Sequence, residues 1–239
     1  MKLLVINPNT TDSMTRTIGA SARATAGPGT EVIAVSSPTG PASIESHYDE
    51  ALAVPGLLTA IRDHPADGYV LACFGDPGLD AAREIAPGPV VGIAEAAVRT
   101  ATYLARSFSI VTTLARTTGR AEELLRRYGV ADYCRAVRAC EVPVLDLETD
   151  PQARDAIVRE CRAALTDDGA EAIVLGCAGM AGFCADLSAV LGVPVIDGVA
   201  AAVGVVVGLV RQGLTTSRIN EYARPLPKRY RGLLAAYGS

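Results

Sequence analysis

The sequence predicts an α/β protein built as two similar lobes, each a mainly parallel sheet flanked by helices. Three observations carry this. Short β-rich runs alternate with helical patterns along all 239 residues, which is the pattern of a parallel sheet covered by helices. The alternation restarts near residues 100–108 with no low-complexity linker between the halves. Finally, the segments GYVLACFGDPGL (68–79) and EAIVLGCAGMAG (171–182) repeat one plan: an apolar strand, a cysteine at its C-terminal end, glycines, then a helix.

Residues 2–6 read as the first strand, ended by the polar loop Asn7-Pro8-Asn9-Thr10. A helix follows, capped by Thr11 or Asp12, with Met14, Ile18 and Ala22 on one face. A strand over 31–35 leads into the loop SSPTGPAS, and 44–61 is helix-like but interrupted at Pro55-Gly56. Strands are expected at 68–72 and 89–92. The second half begins with a strand at 108–112, a helix over 120–128 stopped by Gly129, and a strand at 135–142. Asp150-Pro151 opens a further helix and Gly169 closes it. Strands at 171–176 and 193–196 are each followed by a helix. The lobes are expected over 1–100 and 101–207, with the C-terminal helices, about 208–239, joining the first lobe. The tail RRGLLAAYGS is expected to pack back on that lobe or on a neighbouring subunit.

Composition removes several function classes. Hydrophobic residues at 49% against 20% charged residues give a chain that can bury a core. A net charge of −4 without a basic run leaves no footprint for nucleic acid or an anionic membrane. Aromatic residues at 5%, with no Trp, make base-stacking platforms and cation cages poor expectations. His47 and His64 are the whole imidazole supply, which argues against histidine metal sites and a Ser-His-Asp hydrolase. Six cysteines without a CxxC argue against a disulfide scaffold, a zinc ribbon or a thioredoxin-like centre. MKLLVINPNT turns polar too early for a signal segment, and the apolar stretch 198–210 is shorter than the ~20 residues of a membrane span. A soluble cytoplasmic protein is expected, with no metal site.

The two cysteine turns carry the chemistry. In open α/β sheets ligands bind beyond the carboxyl ends of the strands, where Cys73 and Cys177 fall. Glycines after each sulfur free backbone N–H groups, and the next helix presents its positive end, an environment expected to lower a thiol pKa toward neutrality. Two such turns facing each other across a cleft suit two-base proton transfer, in which one thiolate removes a proton from one face of a carbon and a thiol protonates the other. The remaining cysteines read differently. Cys161 lies at helical spacing between Ile157 and Leu165 and reads as core, as does Cys184. Cys134 and Cys140 border or occupy a strand and have no glycine neighbours.

ACFGDPGL around Cys73, LGCAGM around Cys177, NPNT at 7–10, PASIESHYDEALAVPG at 41–56 and VTTLAR at 111–116 together resemble the hydantoin/allantoin racemase family, within the wider aspartate/glutamate racemase superfamily. The resemblance runs from the first strand to the C-terminal helix. It implies two pseudo-symmetric lobes with the active site between them, and a cofactor-independent racemase of 5-substituted hydantoins or of allantoin. It also implies a homo-oligomer. The family's catalytic cysteines fall on Cys73 and Cys177. Its substrate contacts fall on Asn9, Phe74, Gly75, Thr112, Thr113, Ala178 and Gly179, and its covering loop on Ser43 and Ile44. The chemistry agrees with this assignment: the C5–H of a hydantoin is acidified by its neighbouring carbonyl, and the enolate formed needs donors aimed at its oxyanion. Backbone N–H groups at Phe74, Thr113, Ala178 and Gly179, with the Thr112 hydroxyl, are the expected donors.

Rival readings share the superfamily: an amino-acid racemase, a maleate isomerase or an arylmalonate decarboxylase. A non-catalytic two-lobed binding protein is the rival from another class. Among other residues, His47 and Tyr48 stand next to the covering loop as possible neighbours of the 5-substituent. Asp76-Pro77 reads as N-cap and first residue of the helix after Cys73. Because that acid offsets the helix's positive end, Cys177 is expected to be the more readily ionised thiol. Asp197 reads as a helix cap.

Overall fold

The computed structural model describes residues 1–238. The first sheet contains β1 (Lys2–Asn7), β2 (Glu31–Ser36), β3 (Gly68–Leu71) and β4 (Val90–Gly92), in the order β2-β1-β3-β4. The second contains β5 (Phe108–Thr112), β6 (Cys134–Ala139), β7 (Ala172–Leu175) and β8 (Val195–Ile196), in the order β6-β5-β7-β8. Every pairing is parallel. The two sheets therefore have one topology used twice, and β3 and β7 hold equivalent places.

Both sheets are covered on both faces, which explains the buried, mostly apolar inner strands β1, β3, β5 and β7, whereas the edge strands β2 and β6 are half-buried. On the first, Leu3 and Val5 face α1 (Asp12–Ala26) and α8 (Gly198–Arg211), while Leu4 and Ile6 face α2 (His47–Asp63) and α3 (Leu79–Ile85). On the second, Phe108 and Ile110 face α4 (Ile93–Leu104) and α5 (Thr118–Arg127), while Val111 and Ile173 face α6 (Ala153–Thr166) and α7 (Cys184–Leu191). Helix α4 also packs on α8, so it is wedged between the halves. Helix α8 leaves the second sheet after β8 and packs against α1, α4, β3 and β4. The boundary expected near residue 208 falls inside it. Asp197 caps α8, accepting from the Val199 N–H at 2.7 Å.

Helix α2 is continuous through Pro55, where an interruption was expected. Gly56 explains the tolerance: a Cβ there would run into Ser37 Oγ and the Thr39 carbonyl, so the helix lies hard against the loop after β2 and is held by packing. Ser46 caps it, its hydroxyl accepting from the Asp49 N–H at 3.1 Å, which leaves Ile44 and Glu45 in an extended segment before the helix. Helix α6 starts at Ala153, after a turn in which the Asp150 carboxylate accepts from the Gln152 N–H. The C-terminal tail returns to the first lobe: the Tyr237 hydroxyl lies 2.7 Å from Thr59 Oγ1, and the Arg62 guanidinium covers the Tyr237 ring. Cys161 and Cys184 are buried under α6 and α7, and all six cysteines are free.

Candidate active site

The carboxyl ends of β3 and β7 open on one cavity of about 190 Å³, small enough to select a compact ligand. Cys73 and Cys177 both line it, one from each sheet. The Gly75 N–H faces the Cys73 sulfur, and the Gly179 and Met180 N–H groups face that of Cys177. The turns then diverge. Cys177 leads directly into a 3-10 helix over Ala178–Phe183, whereas Cys73 is followed by an irregular turn and α3 begins only at Leu79.

The expected lowering of the thiol pKa is not what this environment produces. Burial dominates at both sulfurs and disfavours the thiolate. The Cys177 thiol is pushed up to about 11, mainly by burial and against its two facing N–H groups. Cys73 is pushed further, by burial first and then by the nearby carboxylates of Glu50 and Asp76. Cys177 is thus the more readily ionised of the two.

Asp76 corrects another expectation. It does not cap α3, whose preceding residue is Gly78. Its backbone is left-handed, with φ 45°, and turns the carboxylate onto the start of α4. There it accepts from the N–H groups of Ala94 at 3.1 Å and Glu95 at 2.9 Å, and from the Tyr128 hydroxyl at 2.6 Å. Burial outweighs those three hydrogen bonds and raises the Asp76 carboxyl to about 6.

Of the substrate contacts expected from the sequence, Asn9, Ile44, Phe74, Gly75, Thr112, Thr113 and Ala178 line the cavity. Ser43 stands outside the wall, donating to Glu45 Oε2 at 3.1 Å, and Gly179 lies behind Cys177. The Asn9 side chain is fixed by its neighbours: Oδ1 accepts from Asn7 Nδ2 at 2.7 Å and from the Thr11 N–H at 2.9 Å. The Thr112 hydroxyl lies 3.3 Å from the Gly176 carbonyl, tying the ends of β5 and β7 together. The backbone N–H groups of Phe74, Thr113 and Ala178 have no protein acceptor among the described residues. His47 lines the mouth, whereas Tyr48 is 74% exposed and outside it.

The wall also contains residues to which the sequence assigned no role in the site: Met14, Glu45, Glu50, Arg116, Arg120 and Val144. Glu45 fastens the covering segment to the second lobe, accepting from the Val144 N–H at 2.7 Å. Glu50 and Arg120 form an ion pair across the lobes, with Nε 3.3 Å from Oε1. Burial raises the Glu50 carboxyl and the Arg120 charge opposes that rise. Glu45, Glu50 and Arg116 lie within sequence motifs already singled out; Arg120 carries no sequence signal at all. Among the described residues, no group of three or more His, Cys, Asp or Glu side chains is placed to hold a metal.

Two repeated parallel sheets with a shared cavity at their carboxyl ends define the class: this is the α/β racemase fold. The sequence profile of the Asp/Glu/hydantoin racemase family matches residues 3–206. A hydantoin racemase of Rhizobium meliloti is 50% identical, over 94% of this chain and 95% of its own length. Another, from Pseudomonas sp. (strain NS671), is 47% identical, over 100% and 97%. The solved structure of an allantoin racemase from Klebsiella pneumoniae superposes with a TM-score of 0.97 at 50% identity, covering 100% of this chain and 99% of that one. The chain belongs to the Asp/Glu/hydantoin racemase family and is an isomerase.

Proposed function

We propose that this racemase acts on 5-monosubstituted hydantoins, allantoin among them, by moving the C5 proton between Cys73 and Cys177 without a cofactor. The observation that carries the reading is a thiol at the carboxyl end of each of two equivalent strands, both opening on one small cavity. When one sulfur is a thiolate it takes the C5 proton, and the electron pair passes into the adjacent carbonyl as an enolate. The opposite thiol gives its proton to the other face of C5, which regenerates a thiolate and leaves the inverted ring. The free N–H groups of Phe74, Thr113 and Ala178 are donors suited to the enolate oxygen. Asn9, Ile44, Gly75 and Thr112 complete the walls around the ring, with Ser43 bracing the covering segment and Gly179 donating to Cys177. The free state of all six cysteines suits a reducing compartment, and the reading is of a cytoplasmic homo-oligomer.

The test is polarimetry on single enantiomers of allantoin and of alkyl and aryl hydantoins, paired with deuterium uptake at C5 in D2O. Racemisation of at least one substrate after dialysis against EDTA is expected. Cys73→Ser and Cys177→Ser should each abolish it, because a serine hydroxyl is far too weak an acid–base group at neutral pH. Each variant should still exchange C5–H with retention, in opposite enantiomers. One variant exchanging both enantiomers equally would show that a single base reaches both faces and overturn the cysteine pair.

A further inference from the structure

We propose that Arg120 is a positioning residue for the Cys73 half of the reaction, reaching from the second lobe to fix the backbone of the first lobe's cysteine turn while Glu50 holds its guanidinium in place. The proposal rests on the two-thiol reading above.

Gly75 is the point of contact. Its carbonyl accepts from Arg120 Nη2 at 3.0 Å, and its N–H faces the Cys73 sulfur. The Glu50 carboxylate, from α2, lies directly over Gly75, where a Cβ would strike it, and pairs with Arg120 Nε. The backbone that carries Cys73 is thus gripped at the carbonyl of the same residue whose N–H faces the sulfur. The Cys73 turn needs an outside support. Between β3 and α3 it contains a left-handed Asp76 and two glycines, and its internal bonds are a few turn contacts such as Asp76 N–H to the Cys73 carbonyl. The Cys177 turn runs straight into a 3-10 helix and has its own support.

The contact belongs to a longer brace along α5. At the far end of that helix the Tyr128 hydroxyl donates to Asp76, and Arg127 pairs with Asp80 on α3. These contacts tie the second lobe to the Cys73 turn and to the start of α3. Charge adds a second effect. Cys73 is faced by Glu50 from α2, by Asp76 from its own turn and by Cys177 from the other lobe. Glu50 is itself flanked by Arg120, His47 and Glu123. Removing the guanidinium would leave the Glu50 carboxylate with only His47 beside it, penalising the Cys73 thiolate and not the one across the cavity.

The experiment places Arg120→Gln and Arg120→Lys in the Cys73→Ser and Cys177→Ser backgrounds and measures deuterium exchange at C5 of the enantiomer each parent handles. With Cys73 as the sole thiol, Arg120→Gln should slow exchange on the order of tenfold or more, the scale expected for a misplaced reacting group, and Arg120→Lys should recover part of it. With Cys177 as the sole thiol, exchange should stay close to its parent. Equal losses in both backgrounds, or none in either, overturn the proposal. If the parents themselves fail to exchange opposite enantiomers, the two-thiol reading falls and takes this inference with it. Iodoacetamide labelling of the wild-type cysteines, followed by mass spectrometry against pH, gives a measurement independent of turnover. In Arg120→Gln the midpoint for Cys73 should move upward while that for Cys177 stays in place. Midpoints that move together would assign Arg120 a merely structural role.

Discussion

Asp76 shows how a single residue can follow a local rule and serve a distant element. An Asp before a Pro is a good cap for the next helix, and that reading is correct in kind. The helix it caps, α4, begins only after β4, and the reversal that brings it back is a property of the sheet, invisible in the dipeptide. Gly92 makes the approach possible, since a Cβ there would collide with the Asp76 carboxylate. A pH dependence follows. The native state keeps the Asp76 proton up to about 6, while the unfolded chain releases it near the ordinary 3.8. Between those values the native state binds more protons, so this contribution is full below the lower value and is lost as pH rises through the upper one. The gap corresponds to about 3 kcal/mol. Asp76→Asn, which carries no titrating proton, should lack this loss. Urea unfolding of both proteins from pH 4 to 7 should show the wild type losing ground to the variant by an amount of that order. A difference that stays constant across the range would place the proton elsewhere.

The inner strands were legible because buried parallel strands are short apolar runs between polar breaks, and the half-buried edge strands β2 and β6 by their β-rich composition and their place in the alternation. Helix boundaries were less legible where tertiary contact overrides local propensity. Pro55 and Gly56 read as a break in the sequence, but the helix passes through them because Gly56 is pressed against Ser37 and Thr39. Gly56→Ala should therefore destabilise by about 1–3 kcal/mol, the usual cost of overpacking. Gly208→Ala, on α8 with open space around its Cβ, is the matching control and should be neutral or stabilising by up to about 1 kcal/mol. Thermal unfolding followed by circular dichroism distinguishes them: only the first should lower Tm. A Gly56→Ala protein as stable as the wild type would mean that α2 shifts away from the loop at no cost.

At the scale of the molecule, the internal repeat was the most informative feature of the sequence, because one strand–cysteine–glycine plan used twice is what two copies of the same sheet topology produce. Contacts between the copies were not legible. Glu50 and Arg120 meet only because the lobes pack face to face, and neither residue's local surroundings indicate a partner in the other half. On the proposed mechanism the raised thiols set how the whole enzyme responds to pH. In the proposed two-thiol reaction a thiolate is needed at one sulfur and a thiol at the other, and burial pushes the Cys177 thiol up to about 11. The ratio kcat/KM should rise from pH 7 to 9, roughly tenfold per unit, and fall only when the second sulfur also ionises, with apparent values that belong to the pair. Initial rates by polarimetry test this, and a profile flat over those two units would contradict it. The same burial has a meaning for the lifetime of the protein in the cell. Peroxide attacks thiolates, and burial that disfavours the thiolate at both sulfurs slows that attack. The burial that disfavours the thiolate in the proposed proton transfer is also what shields both sulfurs from oxidation.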